Sequence, residues 1–363
     1  MEKLKIGVIG LGGISRGHLG AIAGMSDRFE LLAAVDPRGS KAASAALVGD
    51  KPIFSSDEEM FAEVKGLDAV AVCTPHNIHI RNIRNAVAYG VRGCLVEKPV
   101  TTTLADLDEA IELTESKNVK VAVGYILRHN PFFMKIHQMV KSGQYGAPFA
   151  VTCRTEQGHP GVWFEDKSWI KSNEGLGRGG SLFSHGCHYV DLMIWMVGRV
   201  TRAAKLSTSI AQGDRMEGPD SSFAIFEFDN GGIGHMFSTW GVRHCESVID
   251  YRVYLQDAQL IYDHRYGGKV ELAAVLKHGE RTPLDTSDVE LPVVDQSAGM
   301  KNFFLQYHRF YESVVNDVPV VPGMREARES MEAILKAVDA NEESRFAVFP
   351  ERDITLPPFK PID

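Results

Sequence analysis

The sequence predicts an α/β fold. A Rossmann-type dinucleotide-binding domain over residues 1–124 precedes an α+β domain over 125–363 with a large, mostly antiparallel open sheet. Three observations predict this. Leu4 to Leu19 reads LKIGVIGLGGISRGHL, an apolar strand running into a glycine-rich turn and a helix start. Strand-like and helical stretches then alternate to about Gly124, the pattern of a parallel sheet wrapped by helices. From Phe149 onward long strand candidates follow one another, and Asp229-Asn230-Gly231-Gly232 between two of them is a hairpin signal.

Taken in order, Ile6, Val8 and Ile9 form the apolar run of a strand buried on both faces. Gly10 permits the tight turn, and Gly12 removes a side chain that would block a pyrophosphate. Gly13 and Ile14 complete the turn. Ser15 stands at the third position of the glycine pattern and is still small enough for close helix–strand packing. The helix start at Ile14 to Arg16 offers backbone N–H groups and a positive dipole end to phosphates. Leu31 to Val35 reads as the second strand and ends in Asp36. A carboxylate there accepts the ribose hydroxyls of NAD and repels the extra phosphate of NADP. Arg38, two residues on, softens that preference.

Further strands are expected at Ala69 to Cys73, Gly93 to Val96 and Val119 to Val123. Ser56 with Glu59, and Thr103 with Asp106, fit capping boxes at two helix starts. Leu104, Leu107 and Ile111 mark the apolar face of the second of these helices. Pro131 to Lys141 reads as a short helix. The later strands are expected at Phe149 to Glu156, Ala203 to Ile210, Ser222 to Phe228, Ile233 to Trp240, Val248 to Leu255 and Gln259 to Tyr262. Glu326 to Asn341 reads as a closing helix, and TLPPFKPID as an extended arm.

Composition bounds the function. At 363 residues the chain is too long for one ordinary core, which favours two domains. A net charge of -8 carries no nucleic-acid footprint. No apolar run reaches membrane length, and the amino terminus enters a strand with no signal peptide before it. The five cysteines have no framework spacing and read as reduced, mostly buried thiols of a cytoplasmic protein.

Four segments carry a resemblance along essentially the whole chain: GVIGLGGISRGHL, CTPHNIH at Cys73 to His79, VEKPV at Val96 to Val100, and GRGGSLFSHGCHYVDLMIW at Gly177 to Trp195. In order and spacing the chain resembles the glucose–fructose oxidoreductase, inositol dehydrogenase and rhizopine-catabolism (Gfo/Idh/MocA) family. That resemblance implies a dinucleotide domain plus a sheet domain whose open face makes homodimers or homotetramers. It also implies hydride transfer between NAD, less favourably NADP, and a hydroxyl of a small carbohydrate or polyol.

Carried over residue by residue, it implies that Thr74, Pro75 and His79 line the nicotinamide ribose, with His76 where asparagine is frequent. Glu97 and Lys98 match an E-K-P sequence in which the lysine contacts both cofactor and substrate hydroxyl and Pro99 often follows a cis bond. Arg128 and Pro131 match the R-x-x-P opening the second domain, with Arg128 at the substrate. His188 completes the catalytic set. The chemistry asks for such groups: the substrate carbon must be held close, and something must take the hydroxyl proton. A buried lysine or a near-neutral histidine can serve.

One departure stands out. Ser184 occupies the position where the family usually carries aspartate, and His185 follows it. A Ser-His-Gly segment is weakly similar to that of the NAD-dependent glycosidases of the same superfamily, which oxidise a sugar transiently, eliminate the aglycone, add water and return the hydride. An extra histidine suits those proton transfers. His185-x-x-His188 lacks a recognisable further ligand for zinc, so no metal is expected. Trp163 and Trp169 either stack on a sugar face or anchor their loop. Three readings follow: a sugar or polyol dehydrogenase, with Lys98, His185 and His188 catalytic; an NAD-dependent glycosidase; and a non-catalytic dinucleotide sensor.

Overall fold

The computed structural model describes residues 2–157, 169–242, 247–265, 270–276, 279–291 and 301–342. Trp163, Cys245 and the TLPPFKPID segment lie outside them.

The first layer is built as the alternation predicts. β1 (Leu4–Ile9), α1 (Ser15–Gly24), β2 (Phe29–Val35), β3 (Ile53–Phe54), α2 (Asp57–Glu63), β4 (Ala69–Val72), α3 (His79–Tyr89), β5 (Gly93–Val96), α4 (Leu104–Ser116) and β6 (Lys120–Val123) follow in chain order. The strands form one parallel sheet in the order β3-β2-β1-β4-β5-β6. The order reverses between β1 and β4, and such reversals open a crevice at the carboxyl ends of the strands, where dinucleotides bind. Both expected capping boxes show the hydroxyl half, in which the side chain of Ser56 or Thr103 accepts from the N–H three residues on, but their carboxylates turn elsewhere. Thr103 accepts from the Asp106 N–H and donates to its carboxylate, whereas the Glu59 carboxylate turns to Ser55 rather than back to Ser56.

The second layer begins with α5 (Pro131–Lys141), whose start is capped by Asn130. β7 (Pro148–Glu156), α6 (Asn173–Leu176), α7 (Gly180–Ser184), α8 (Cys187–Met196), β8 (Val200–Thr208), β9 (Ser221–Phe228), β10 (Ile233–Thr239), β11 (Val248–Leu255), β12 (Ala258–Arg265), β13 (Glu271–Val275) and β14 (Arg281–Pro283) follow. Their sheet runs β14-β13-β12-β11-β7-β10-β9-β8. It is antiparallel except where β10 lies parallel to β7. Gly231 takes φ 81° in the predicted β9–β10 turn.

Alternation decides the two faces of this sheet. Val151, Cys153, Ala224, Phe226, Met236, Tyr251 and Val253 point inward and share one apolar core with α8 and with strands of the first sheet. Leu206, Phe223, Ile225 and Ile233 point outward and are exposed.

Two helices close the described chain: α9 (Lys301–Val315) and α10 (Met324–Glu342). The first, α9, returns to the parallel sheet of the residues expected as the dinucleotide domain. Its Phe303, Phe304, Tyr307 and Phe310 are buried with Leu4, Ile6, Val8 and Leu19. The approach is close enough that a Cβ at Gly17 of α1 would lie 2.5 Å from the Phe303 ring. An all-apolar parallel sheet must be covered on both faces, and here the second covering layer comes from far along the chain. α10 packs with α8 and β8 and also against α4 of the first layer, and continues the inner core through Met331 and Ile334. Cys73, Cys94, Cys153 and Cys187 are free and buried.

Candidate active site

Four strand ends of the parallel sheet converge with α7 and α8 of the second layer. At the end of β1, Gly10 takes φ 95°, and a Cβ there would lie 2.7 Å from the Cys73 carbonyl oxygen. No other residue fits. At Gly12 and Gly13 an added Cβ meets nothing within 4 Å, so open space lies over the turn. The Ser15 and Ser44 hydroxyls donate to the Gly12 carbonyl at 2.7 and 2.9 Å and fix the turn from below. Ile14 is exposed at the start of α1, which has no side-chain cap and no acidic residue in its first turn. Space over the turn and an uncapped helix start fit a dinucleotide pyrophosphate.

At the end of β2 the Asp36 carboxylate is not open. Oδ2 accepts from the Leu11 N–H at 3.0 Å, and the Arg38 guanidinium grips both oxygens at 2.8 Å. Burial pushes the Asp36 carboxyl up, but Arg38 and Leu11 outweigh it and hold it below the usual carboxylate range. Arg38 itself remains largely in solvent.

At the end of β4, Thr74 donates to the Asn82 side chain at 2.8 Å, and Asn82 in turn donates to buried Asp57 at 2.7 Å. Pro75 is half-buried beside it. His79 departs from the expected ribose contact. It is fully buried, with Nε2 2.8 Å from the Thr74 carbonyl and Nδ1 3.1 and 3.2 Å from those of Pro99 and Val100. It braces the Thr74 turn against the lysine loop. His76 is also buried; its Nδ1 meets the Leu176 carbonyl at 3.1 Å, and its ring lies edge-on to Trp169 at 4.5 Å. Trp169 packs with Ile170, Leu176, Met216 and Trp240, so its packed surface anchors the loop. Burial, His79 and Lys98 hold His76 well below its ordinary range, hence neutral.

At the end of β5, Glu97 is buried and does not face the cleft. Its Oε1 accepts from His18 Nε2 at 3.0 Å, and its Oε2 from the Lys98 N–H at 3.2 Å. His18 comes from α1, and its Nδ1 lies 3.0 Å from the Tyr307 hydroxyl of α9. Burial alone would depress the His18 imidazolium, but Cys73 and Glu97 outweigh it and raise it to about 10. Burial likewise pushes the Glu97 carboxyl up, and His18 and Lys98 pull it below its usual range. The two groups form a buried ion pair under the lysine loop. The Lys98–Pro99 bond is cis, and Lys98 Nζ donates to the Ser184 carbonyl at 2.9 Å. The ammonium therefore spans from the first layer to the end of α7.

His188, in the first turn of α8, is buried edge-on to Tyr125 at 5.9 Å. Its Nδ1 bonds no group among the described residues. Burial, then Lys98 and His185, hold it well below its ordinary range and therefore neutral. Ser184 is buried and serves through its carbonyl. The His185 ring lies 6.4 Å from that of His188, and the His185 carbonyl accepts from the His188 N–H at 3.3 Å. Thr155 Oγ1 lies 3.3 Å from its Nδ1, and Gln157 Nε2 lies 3.0 Å from its Nε2. The end of β7 thus fixes the ring that follows the missing aspartate.

Arg128, expected at the substrate, is buried, and its guanidinium grips Asp191 of α8 through two 2.7 Å bonds. The pairing is tertiary, and the R-x-x-P pattern alone carries no sign of it. Tyr307, Thr155 and Gln157 lie outside the sequence motifs, and His18 lies inside the first of them with no role assigned to it. For His18 the available signal was a histidine eight residues past Gly10, on the helix that the glycine turn starts.

A glycine turn at the sheet's reversal point, with a lysine at a neighbouring strand end, defines the class of nicotinamide-dinucleotide folds. Comparison makes the family definite. The model of an oxidoreductase family with an NAD-binding Rossmann fold matches residues 4–125, and the Gfo/Idh/MocA C-terminal domain matches residues 133–261. The chain belongs to the Gfo/Idh/MocA oxidoreductase family.

The chain is 24% identical over 240 residues to the rhizopine catabolism protein MocA of Rhizobium meliloti, covering 64% of this chain and 70% of that protein. It is 31% identical over 148 residues to UDP-N-acetylglucosamine 3-dehydrogenase of Acidithiobacillus ferrooxidans, covering 41% and 44%. Alignment with the second thus spans under half of that relative's length. In fold it is similar to a levoglucosan dehydrogenase in complex with NADH, with a TM-score of 0.82, 17% identity and coverage of 94% and 98%. The WlbA dehydrogenase of Bordetella pertussis, in complex with NADH and UDP-GlcNAcA, gives a TM-score of 0.78 at 22% identity, with 94% and 98% covered.

Proposed function

We propose that this protein is an NAD-dependent oxidoreductase that moves a hydride between nicotinamide and a hydroxyl-bearing carbon of a sugar, cyclitol or sugar derivative. The observation that carries the reading is that Lys98 of the first layer bonds the Ser184 carbonyl of α7, near enough to His188 of α8 for its charge to reinforce burial in holding that ring neutral. A charged donor and a neutral ring with an unengaged, buried Nδ1 stand at the end of the cofactor sheet. Relatives and structural neighbours named as sugar or inositol dehydrogenases support it.

Gly12, Gly13, Ile14 and the start of α1 would hold the pyrophosphate, Asp36 and Arg38 the adenosine ribose, and Thr74 and Pro75 the nicotinamide side. The bound dinucleotide supplies the hydride acceptor. Lys98 donates a hydrogen bond to the substrate oxygen and stabilises the charge that grows there as the proton leaves. His188, kept neutral, accepts that proton at Nδ1. The glycosidase reading needs a further uncommitted proton carrier, and both ring nitrogens of His185 are engaged by β7. Incubating the protein with NAD and a panel of inositols, aldoses and nucleotide sugars tests the reading. Stoichiometric NADH release supports it, whereas turnover of an aryl glycoside without NADH release overturns it.

The same reading gives the open sheet face to a second copy of the chain. Phe223 and Phe237 stack there at 4.4 Å between exposed Leu206, Ile225 and Ile233, a larger apolar surface than scattered side chains make. Arg154 and Asp250 continue this face as cross-strand neighbours. Sedimentation should show an oligomer that Phe223→Glu dissociates.

A further inference from the structure

The His18–Glu97 pair has no part in the proton transfer to His188, yet it lies directly under the lysine loop. Glu97 closes β5, at the carboxyl edge of the sheet where the cofactor crevice opens, and its second oxygen holds the Lys98 N–H. Gly124 packs against this carboxylate so closely that a Cβ there would lie 3.0 Å from it. The carboxylate obliges His18 Nε2 to carry a proton, and the Tyr307 oxygen stands ready at Nδ1. Beside a neutral ring the buried carboxylate would keep only Lys98 as a charge partner, which is costly. The ionisable groups around the ring are Glu97, Cys73 and Tyr307, from β5, the end of β4 and α9.

A nicotinamide ring carries a positive charge when oxidised and none when reduced. Any fixed charge near it therefore biases the site between the two forms. A bare carboxylate would hold the oxidised cofactor and oppose reduction; a carboxylate paired with a cation would not.

We propose that His18 is a positioning residue of the cofactor site: as the cationic partner of Glu97 it cancels the buried negative charge next to Lys98 and so keeps the site from favouring NAD+ over NADH. The proposal rests on the reading of the cleft as a nicotinamide site.

Two measurements test it, and neither needs a substrate. In the cofactor-free wild-type protein at pH 8, 15N NMR of the imidazole should report His18 as an imidazolium; a neutral ring overturns the proposal. Fluorescence titration then gives the Kd for NAD+ and for NADH. His18→Gln should lower the ratio Kd(NAD+)/Kd(NADH) by about tenfold, the effect of one added charge within roughly 10 Å at an effective dielectric of about 20. Adding Glu97→Gln to that variant should return the ratio to the wild-type value, which poorer packing alone would not do. An unchanged ratio in His18→Gln, or no recovery in the double variant, overturns the proposal. Should His18→Gln not fold, the wild-type NMR result decides. Failure of the wild-type protein to bind either dinucleotide defeats the nicotinamide reading instead.

Discussion

Arg38 closes over Asp36, with Nε and Nη2 each 2.8 Å from a carboxylate oxygen. The residue that, on the proposed reading, would select against the phosphate of NADP and the residue that would welcome it are thus bound to each other. The carboxylate is buried and the guanidinium largely exposed, so the arginine is the partner that can turn away. NADH should bind more tightly than NADPH. Arg38→Ala should widen the gap by about tenfold, the scale of one charge-assisted hydrogen bond to the phosphate. Titrating both cofactors by protein fluorescence checks this; tighter binding of NADPH by the wild type contradicts it.

Lys98→Ala should leave NADH affinity nearly intact, since the turn at Gly10 to Ile14 holds the phosphates. Turnover should fall by a factor on the order of a hundred or more. Steady-state kinetics with a responsive sugar, beside a binding titration, separates the two effects. A variant with wild-type kcat removes Lys98 from the mechanism.

His188→Ala and His185→Ala should fail at different steps. The unengaged Nδ1 of His188 predicts loss of hydride transfer itself, seen as a fall in kcat. His185, held by Thr155 and Gln157, should mainly raise KM. Rapid-quench analysis with an aryl glycoside tests the alternative: NAD reduced in one turnover by His185→Ala, with the aglycone retained, would restore the glycosidase reading.

Arg128→Ala should destabilise the fold and spare substrate affinity. Removing the guanidinium leaves Asp191 buried and uncompensated, which typically costs about 3–5 kcal/mol. Denaturant midpoints measure the destabilisation. A stable variant with a sharply raised KM would return Arg128 to the substrate.

Stability should peak near neutral pH and fall on both sides. Burial, with nearby arginines, depresses His129 to about 3; burial, with Lys141 and Arg128, depresses His137 to about 4. Burial also holds His76, His79 and His188 low. Below the unfolded value of 6.5 the unfolded chain binds protons that these native rings refuse, so stability is lost as pH falls from there toward 3. His18 runs the other way: its contribution is complete below 6.5 and lost as pH rises through about 10. Thermal unfolding from pH 4 to 10 should trace this dome, with the alkaline limb flattened in His18→Gln. A melting temperature constant between pH 6.5 and 4 would rule out the neutral histidines.

Local pattern made much of the molecule legible. The glycine turn, Asp36, the capping boxes and the β9–β10 hairpin are short-range features, each readable from a few adjacent residues. The parallel sheet followed from strand–helix alternation, because a two-sided apolar strand has few other places to go. β13, β14 and α9 went unread; β14 is a three-residue edge strand and β13 a short strand beside it, whereas α9 carries Phe303, Phe304, Tyr307, Phe310, Tyr311 and Val314 at helical spacing, a signal that was present and passed over.

The sequence by itself determined which chemistries are present: a phosphate turn, a ribose acid, one lysine after a buried strand and a pair of histidines near a second glycine run. Only the tertiary structure decided which of them are at liberty to act. It committed Arg128 to Asp191, His79 to three carbonyls and Glu97 to His18, and it left His188 Nδ1 unengaged. The reason is physical. A buried polar group must find a partner, and for Arg128 and Glu97 that partner lies more than sixty residues away, beyond the reach of any local pattern.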